Sequence, residues 1–228
     1  MAESLLLDHI AIGARTLSDG VGYLKARLNV ELPFGGTHPR QGTHNCLTKM
    51  EDDSYLEIIS IDPGAPSPGL PRWFDLDHMD QRTSLSRGPR PIAWIARTHD
   101  IEGVLAAARG AGIDLGRPVT MTRDDLRWRI SIRDDGNLPE GGTLPVIIEW
   151  PDGPHPSGRM TDLGVRLHAL RLRHPEPEIL RSKLEAIGSD HLATIEPTET
   201  TQPHIVCDLV VPDGRIHALG TDQQDTGF

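Results

Sequence analysis

LLLDHIAIGARTLSDGVGYLKARLNV (residues 5–30) sets the first module of the chain. Residues 5–14 form a short run of Leu, Ile and Ala interrupted by Asp8 and His9, the pattern of a buried strand. Leu17, Val21, Leu24 and Leu28 then recur at the spacing of one helical face. Thr16 or Ser18 can cap the start of that helix. Pro33, Gly35 and Gly36 punctuate the chain after it. THNCLTKM (43–50) and SYLEIISI (54–61) read as strands separated by a turn at Asp52-Asp53. The order predicted for residues 1–61 is therefore strand, helix, and two or three strands.

The pattern returns beyond a stiff Pro/Gly-rich linker, DPGAPSPGLP (62–71), and a helix or irregular cover over 73–84. PIAWIART (91–98) reads as a strand and IEGVLAAARGAGI (101–113) as a helix ending near Gly112. Three strand candidates follow within 116–150. Laying Ala14-Arg15-Thr16 over Ala96-Arg97-Thr98 brings Tyr55-Leu56-Glu57-Ile58 opposite Ile147-Ile148-Glu149-Trp150. Thr16 lies 41 residues before Glu57, and Thr98 lies 51 residues before Glu149, so the second copy needs a loop insertion, placed at DDGNLPEGG (134–142). A third segment, 160–220, reads as a partial βαββ unit: strand 165–174, helix 175–188 and a hairpin over 203–219 turning at Asp213-Gly214. The organisation predicted is a first module at 1–61, a linker and cover at 62–90, a second module at 91–150, and the third segment at 160–220 on the same domain.

Composition narrows the function. Thirty-three acidic against 23 basic residues give a formal net charge of −10. That disfavours a nucleic-acid or anionic-membrane binder, because both need a cationic face. The N-terminus lacks the basic lead of a secretory signal, and no apolar run reaches membrane-spanning length. Two cysteines, Cys46 and Cys207, fit two buried thiols in a reducing compartment better than a disulfide. A cytoplasmic protein with a small-molecule partner is the expectation, with a homodimer left open. No GxSxG elbow, P-loop, HExxH or dinucleotide fingerprint is present.

Several segments together carry a family likeness: LDHIAIGA (7–14), GGTHPRQGTHN (35–45), YLEIISIDP (55–63), MTRDDLRWRI (121–130), TLPVIIEWPDGPHPS (143–157) and LRLRHPEPEIL (170–180). With them the chain resembles the glyoxalase-like domain family of the vicinal oxygen chelate superfamily. The resemblance implies an α+β fold in which repeated βαβββ modules build a cup-shaped mixed sheet. It implies a divalent metal (Zn, Mn, Ni or Fe) inside the cup, held by side chains from the first and last strand of each module. Carried over, those positions are His9 and Glu57 in module one and Glu149 in module two. The fourth falls on Pro91, which has no ligating side chain. His168, early in the third segment, can stand opposite His9 and replace the missing ligand, or be an ordinary surface or core histidine. The implied activity is a metal-dependent lyase or isomerase step on a molecule with vicinal oxygens; a dioxygenase would need His168 beside His9. The alternative is a metal-free protein that binds and sequesters a small molecule.

Other residues offer roles that the sequence leaves open. Only one of His44 and Asn45 can face the cup, since neighbours on a strand point opposite ways. His44 suits a general base and Asn45 a carbonyl anchor; a turn or cap is the competing role for both. Glu149 can also move a proton. Arg97 and Arg123 are candidates for gripping a carboxylate, with surface salt bridges as the alternative. Trp94 and Trp150 are core residues or pocket walls, and His155 reaches the cup mouth or lies in an exposed loop. Trp128 is expected inward, with Arg127 and Arg129 solvated.

Overall fold

The computed structural model describes residues 4–220. The first module runs β1 (Leu6–Gly13), α1 (Leu17–Leu28), β2 (Phe34–His38), β3 (Thr43–Glu51) and β4 (Ser54–Ile61). A helix, α2 (Met79–Arg87), follows the linker. The second module repeats the order with β5 (Arg90–Arg97), α3 (Ile101–Gly110), β6 (Arg117–Arg123), β7 (Leu126–Ile132) and β8 (Val146–Glu149). The third segment holds β9 (Arg166–His174), α4 (Pro177–Ala186), β10 (Thr194–Pro197), β11 (His204–Val210) and β12 (Ile216–Leu219). Thr194–Pro197 thus adds a strand to the segment that sequence patterning reads as βαββ. The strand is only four residues long, with polar or half-buried side chains, and leaves no apolar run to detect.

The local signals act as their chemistry dictates. Thr16 caps α1, its Oγ1 accepting from Asp19 N at 3.1 Å, and Asn29 closes the helix in the left-handed region. Leu24 and Leu28 of that helix are buried, a gain of roughly 1.5–3 kcal/mol each. Asp100 caps α3 through Gly103 N. Gly112, at φ 74°, lets Ile113 N return to Ala108 O at 2.8 Å.

One eight-stranded sheet has the order β2-β3-β4-β1-β5-β8-β7-β6, which is the same module order written twice, back to back across β1 and β5. β1 pairs antiparallel with β5, whereas β1–β4 and β5–β8 are parallel. The sheet curls until its edge strands β2 and β6 meet, where Arg40 Nη1 donates to Thr120 O at 2.8 Å. The third segment forms its own four-stranded sheet, β10-β9-β11-β12. Glu140, in the insertion between β7 and β8, ties the two together by pairing with Lys183 and with His174 Nε2.

Two cores result. Against the convex face, α1, α3, α4 and the second sheet bury residues such as Ile10, Leu56, Ile58, Trp94 and Ala96. Within the cup, Ala11, Ile59, Ala93, Ile95, Trp128 and Ile148 meet Trp73, Phe74 and Leu85 from the cover segment. Cys46 and Cys207 are buried free thiols. Among the described residues no helix is long and apolar enough to cross a membrane.

Candidate active site inside the cup

Strand alternation decides which side chains enter the cup. From β1 it is His9; from β4, Tyr55 and Glu57; from β3, Asn45 and Leu47; from β7, Trp128 and Ile130; from β8, Ile148, with Trp150 just past its end. They line a cleft of about 390 Å³, partly open to solvent, with Trp73 and Phe74 across it. Arg123, at the end of β6, has the same parity as cup-facing Met121 and also lines the cleft.

At the floor of the cleft, His9 Nε2 stands 3.5 Å from Glu57 Oε2, and both residues are 4% exposed. His9 Nδ1 donates to Asp8 Oδ1 at 2.6 Å. Adjacent strand residues ordinarily point to opposite faces, but the β1–β5 register shifts between Leu7 and His9. The extra residue of this bulge is Asp8, turned beside the ring it orients. The other Asp8 oxygen accepts from Trp150 Nε1 at 2.8 Å and from His155 Nε2 at 3.0 Å. Tyr55 stacks on His9 with ring centroids 4.3 Å apart.

The charges follow from these contacts. Burial opposes a charge on Asp8, but the hydrogen bonds from His155 and His9 outweigh it and hold the carboxyl far below its usual range. Burial likewise opposes a charge on His9, and hydrogen bonds to Asp8 and Glu57 overcome it, lifting its pKa to about 9. Glu57, also buried, is kept ionised by His9 and by Asn45, whose Nδ2 donates to Glu57 Oε1 at 2.7 Å. His38 is the opposite case. Burial pulls it down to about 4, leaving a neutral imidazole with Nδ1 3.0 Å from Thr43 Oγ1 and its ring edge against Trp73. The cleft therefore presents a carboxylate and an imidazolium side by side, next to a neutral imidazole, an amide and a guanidinium.

Of the site residues expected from sequence, His9, Glu57, Asn45, Arg123 and Trp150 come together here, with His155 behind them on Asp8. The others do not. Glu149 was aligned with Glu57, but Ile148 and Trp150 face the cup, so Glu149 points out of it. Its carboxylate takes two donors from Arg129, at 2.7 to 2.9 Å, and receives Ile101 N at the start of α3. A register offset of one residue moves a strand side chain to the opposite face, and that offset removes Glu149 as ligand and as base. His44 also lies outside, with Nε2 2.9 Å from Ser60 Oγ. Trp94 is buried in the convex core, its indole N–H on Thr143 O. Arg97 pairs with Asp53. His168 is exposed on β9 in the other sheet. Arg129 is not simply solvated, given its bond to Glu149, whereas Arg127 is exposed and Trp128 inward.

These placements test the expected metal. Only His9 and Glu57 of the four anticipated ligands approach one another, at 3.5 Å. Among the described residues no cluster of three His, Cys, Asp or Glu side chains is placed to hold an ion. The donor set does not fit a resident divalent metal.

Asp8, His38 and Tyr55 escaped sequence reasoning. Asp8 is displaced by a bulge that no pattern marks. His38 sits on a five-residue edge strand rich in glycine, although its place in GGTHP, within the stretch carrying the family likeness, was a usable clue.

Comparison with known proteins agrees with this architecture. The model of a family described as "Glyoxalase-like domain" matches residues 7–188. No curated protein matches the chain. Among solved structures, a hypothetical protein from Staphylococcus aureus aligns with a TM-score of 0.59 at 17% identity, covering 94% of this chain and 84% of its own. Methylmalonyl-CoA epimerase from Mycobacterium tuberculosis aligns at 18% identity and a TM-score of 0.43, covering 68% of this chain and 93% of its own. A hypothetical protein from Bacillus halodurans C-125 gives 16% and 0.44 over 67% and 98%. With a family model spanning most of its length and two βαβββ modules closing one cup, the chain belongs to the glyoxalase-like domain family.

Proposed function

We propose that the cup catalyses proton transfer at a carbon beside the carbonyl of a small molecule, an isomerase or lyase step, without a resident metal. The observation that carries this reading is the buried Glu57 carboxylate 3.5 Å from the His9 imidazolium on the cleft floor. Glu57 takes the proton from the carbon, and the electron pair of that C–H bond becomes the new C=C bond. The carbonyl oxygen becomes an enolate and accepts a hydrogen bond from His9 Nε2–H. Asp8 fixes the tautomer and direction of His9. Return of the proton to the same carbon or a neighbouring one completes the step, with no oxidant or reductant needed.

The test is solvent exchange. Chelator-treated protein in D2O, followed by proton NMR on a panel of small ketones and oxo acids, should speed loss of the α-proton. Glu57→Gln should lower that rate by about 10²-fold or more, within the usual range of general-base catalysis. Exchange that appears only when Zn, Mn, Ni or Fe(II) is added would overturn the metal-free reading. The aromatic walls, Trp73, Trp128 and Trp150, favour a second reading, a metal-free binding protein. It predicts saturable binding with no exchange.

A further inference from the structure

Two features of the cleft have chemistry left over after the proton-transfer pair is accounted for. The first is Arg123. Its guanidinium lines the cleft, half buried, yet no carboxylate among the described residues lies within ion-pair distance of it. Its one hydrogen bond is to a neutral acceptor, Asn45 Oδ1, at a long 3.4 Å. Most other arginines of this acidic chain have an acidic partner, as Arg97, Arg129, Arg133 and Arg171 show. The second is Trp73. Its indole N–H is buried and meets no acceptor, an uncommon and costly state for a polar group.

The backbone makes room for Arg123. A Cβ on Gly36 of β2 would stand 2.9 Å from Arg123 Cδ, and one on Gly35 would stand 2.5 Å from Asn45 Oδ1. The paired glycines let the arginine cross the seam between β2 and β6 and lie against Asn45. A guanidinium in this position suits a planar, two-oxygen anion, which it can grip with two parallel hydrogen bonds.

Asn45 also keeps Arg123 and Glu57 close. Its Oδ1 faces Arg123 and its Nδ2 binds Glu57 at 2.7 Å. An amide spans roughly 2.3 Å between oxygen and nitrogen, so Arg123 Nη1 lies at most about 8 Å from Glu57 Oε1. One short molecule can therefore reach both groups, with its carboxylate about 2.8 Å from the guanidinium and its acidic carbon about 3.2 Å from Glu57.

Resting on the proton-transfer reading, we infer that the substrate is a short oxo acid: a carboxylate held by Arg123, a ketone facing His9, and the acidic C–H facing Glu57. Both 2-oxo and 3-oxo acids carry these groups. The apolar remainder of the molecule lies among Trp73, Phe74, Trp128 and Trp150.

Binding separates this inference from the chemistry. Pyruvate, phenylpyruvate and acetoacetate, each paired with its methyl ester, are titrated into the full chain by calorimetry. At least one acid should bind, and its uncharged ester should bind at least 30-fold more weakly. Arg123→Gln should abolish that preference and Arg123→Lys should restore part of it, while both variants keep the circular dichroism and Tm of the parent. Glu57→Gln should still bind the acid while losing exchange; acid binding by a parent protein that shows no α-proton exchange would be a failure of the proton-transfer reading alone. Equal affinity for acid and ester, unchanged preference in Arg123→Gln, or no binding of any acid at 10 mM would each overturn the inference.

Discussion

His9 gives the sharpest quantitative test, because its protonation is a stability term with a definite sign. Folding raises its pKa from 6.5 to about 9. Between those values the folded chain holds a proton that the unfolded chain has released. Stability from this residue is thus fully present below pH 6.5 and lost as pH rises through 9. The slope inside the window is about 1.4 kcal/mol per pH unit. With partial titration at both ends, raising the pH from 6.5 to 8.5 removes about 2 kcal/mol. The perturbation is His9→Gln, a neutral side chain of similar reach that cannot titrate. Urea unfolding of both proteins at several pH values in that range measures the difference. Groups remote from His9, such as the thiol of Cys207, which burial pushes to about 12, occur in both proteins and cancel in the comparison. The gap between parent and variant should therefore shift by about 2 kcal/mol against the parent as pH rises. Stability curves that run parallel to within about 0.5 kcal/mol would refute the buried ion triad. Imidazole NMR of the parent checks the same point independently, since a His9 resonance that titrates near 6.5 contradicts it too.

Two further outcomes follow from the site's surroundings. Glu149→Gln should lower stability by about 1 kcal/mol through its Arg129 pair and the start of α3, yet leave α-proton exchange at the parent rate, as NMR in D2O will show. His155→Ala leaves the fully buried Asp8 one donor short and should cost about 1–3 kcal/mol, a Tm drop of roughly 2–12 °C by calorimetry; an unchanged Tm would remove His155 from the Asp8 junction.

The amino-acid sequence determined what short-range chemistry can determine. Thr16, Asp100 and Gly112 set helix ends through side-chain oxygens and a permissive backbone within a few residues. The repeated alternation of strand and helix set the two modules, and with them the cup. Residues of the site were legible where a strand's period could be anchored on its own apolar neighbours: Asn45 against His44, and Trp128 against Arg127 and Arg129. Tertiary structure decided the rest. Glu149 looked equivalent to Glu57 because YLEI resembles IIEW, but the pairing of β8 beside β5 turns Ile148 inward and Glu149 outward. Asp8 reaches His9 only because β1 carries one more residue than β5 opposite it. Arg123 and His38 meet the cup only because the sheet curls far enough to bring β6 against β2. A strand's faces are chemically distinct only after its register and the direction of its sheet's curl are fixed, and both depend on partners tens of residues away.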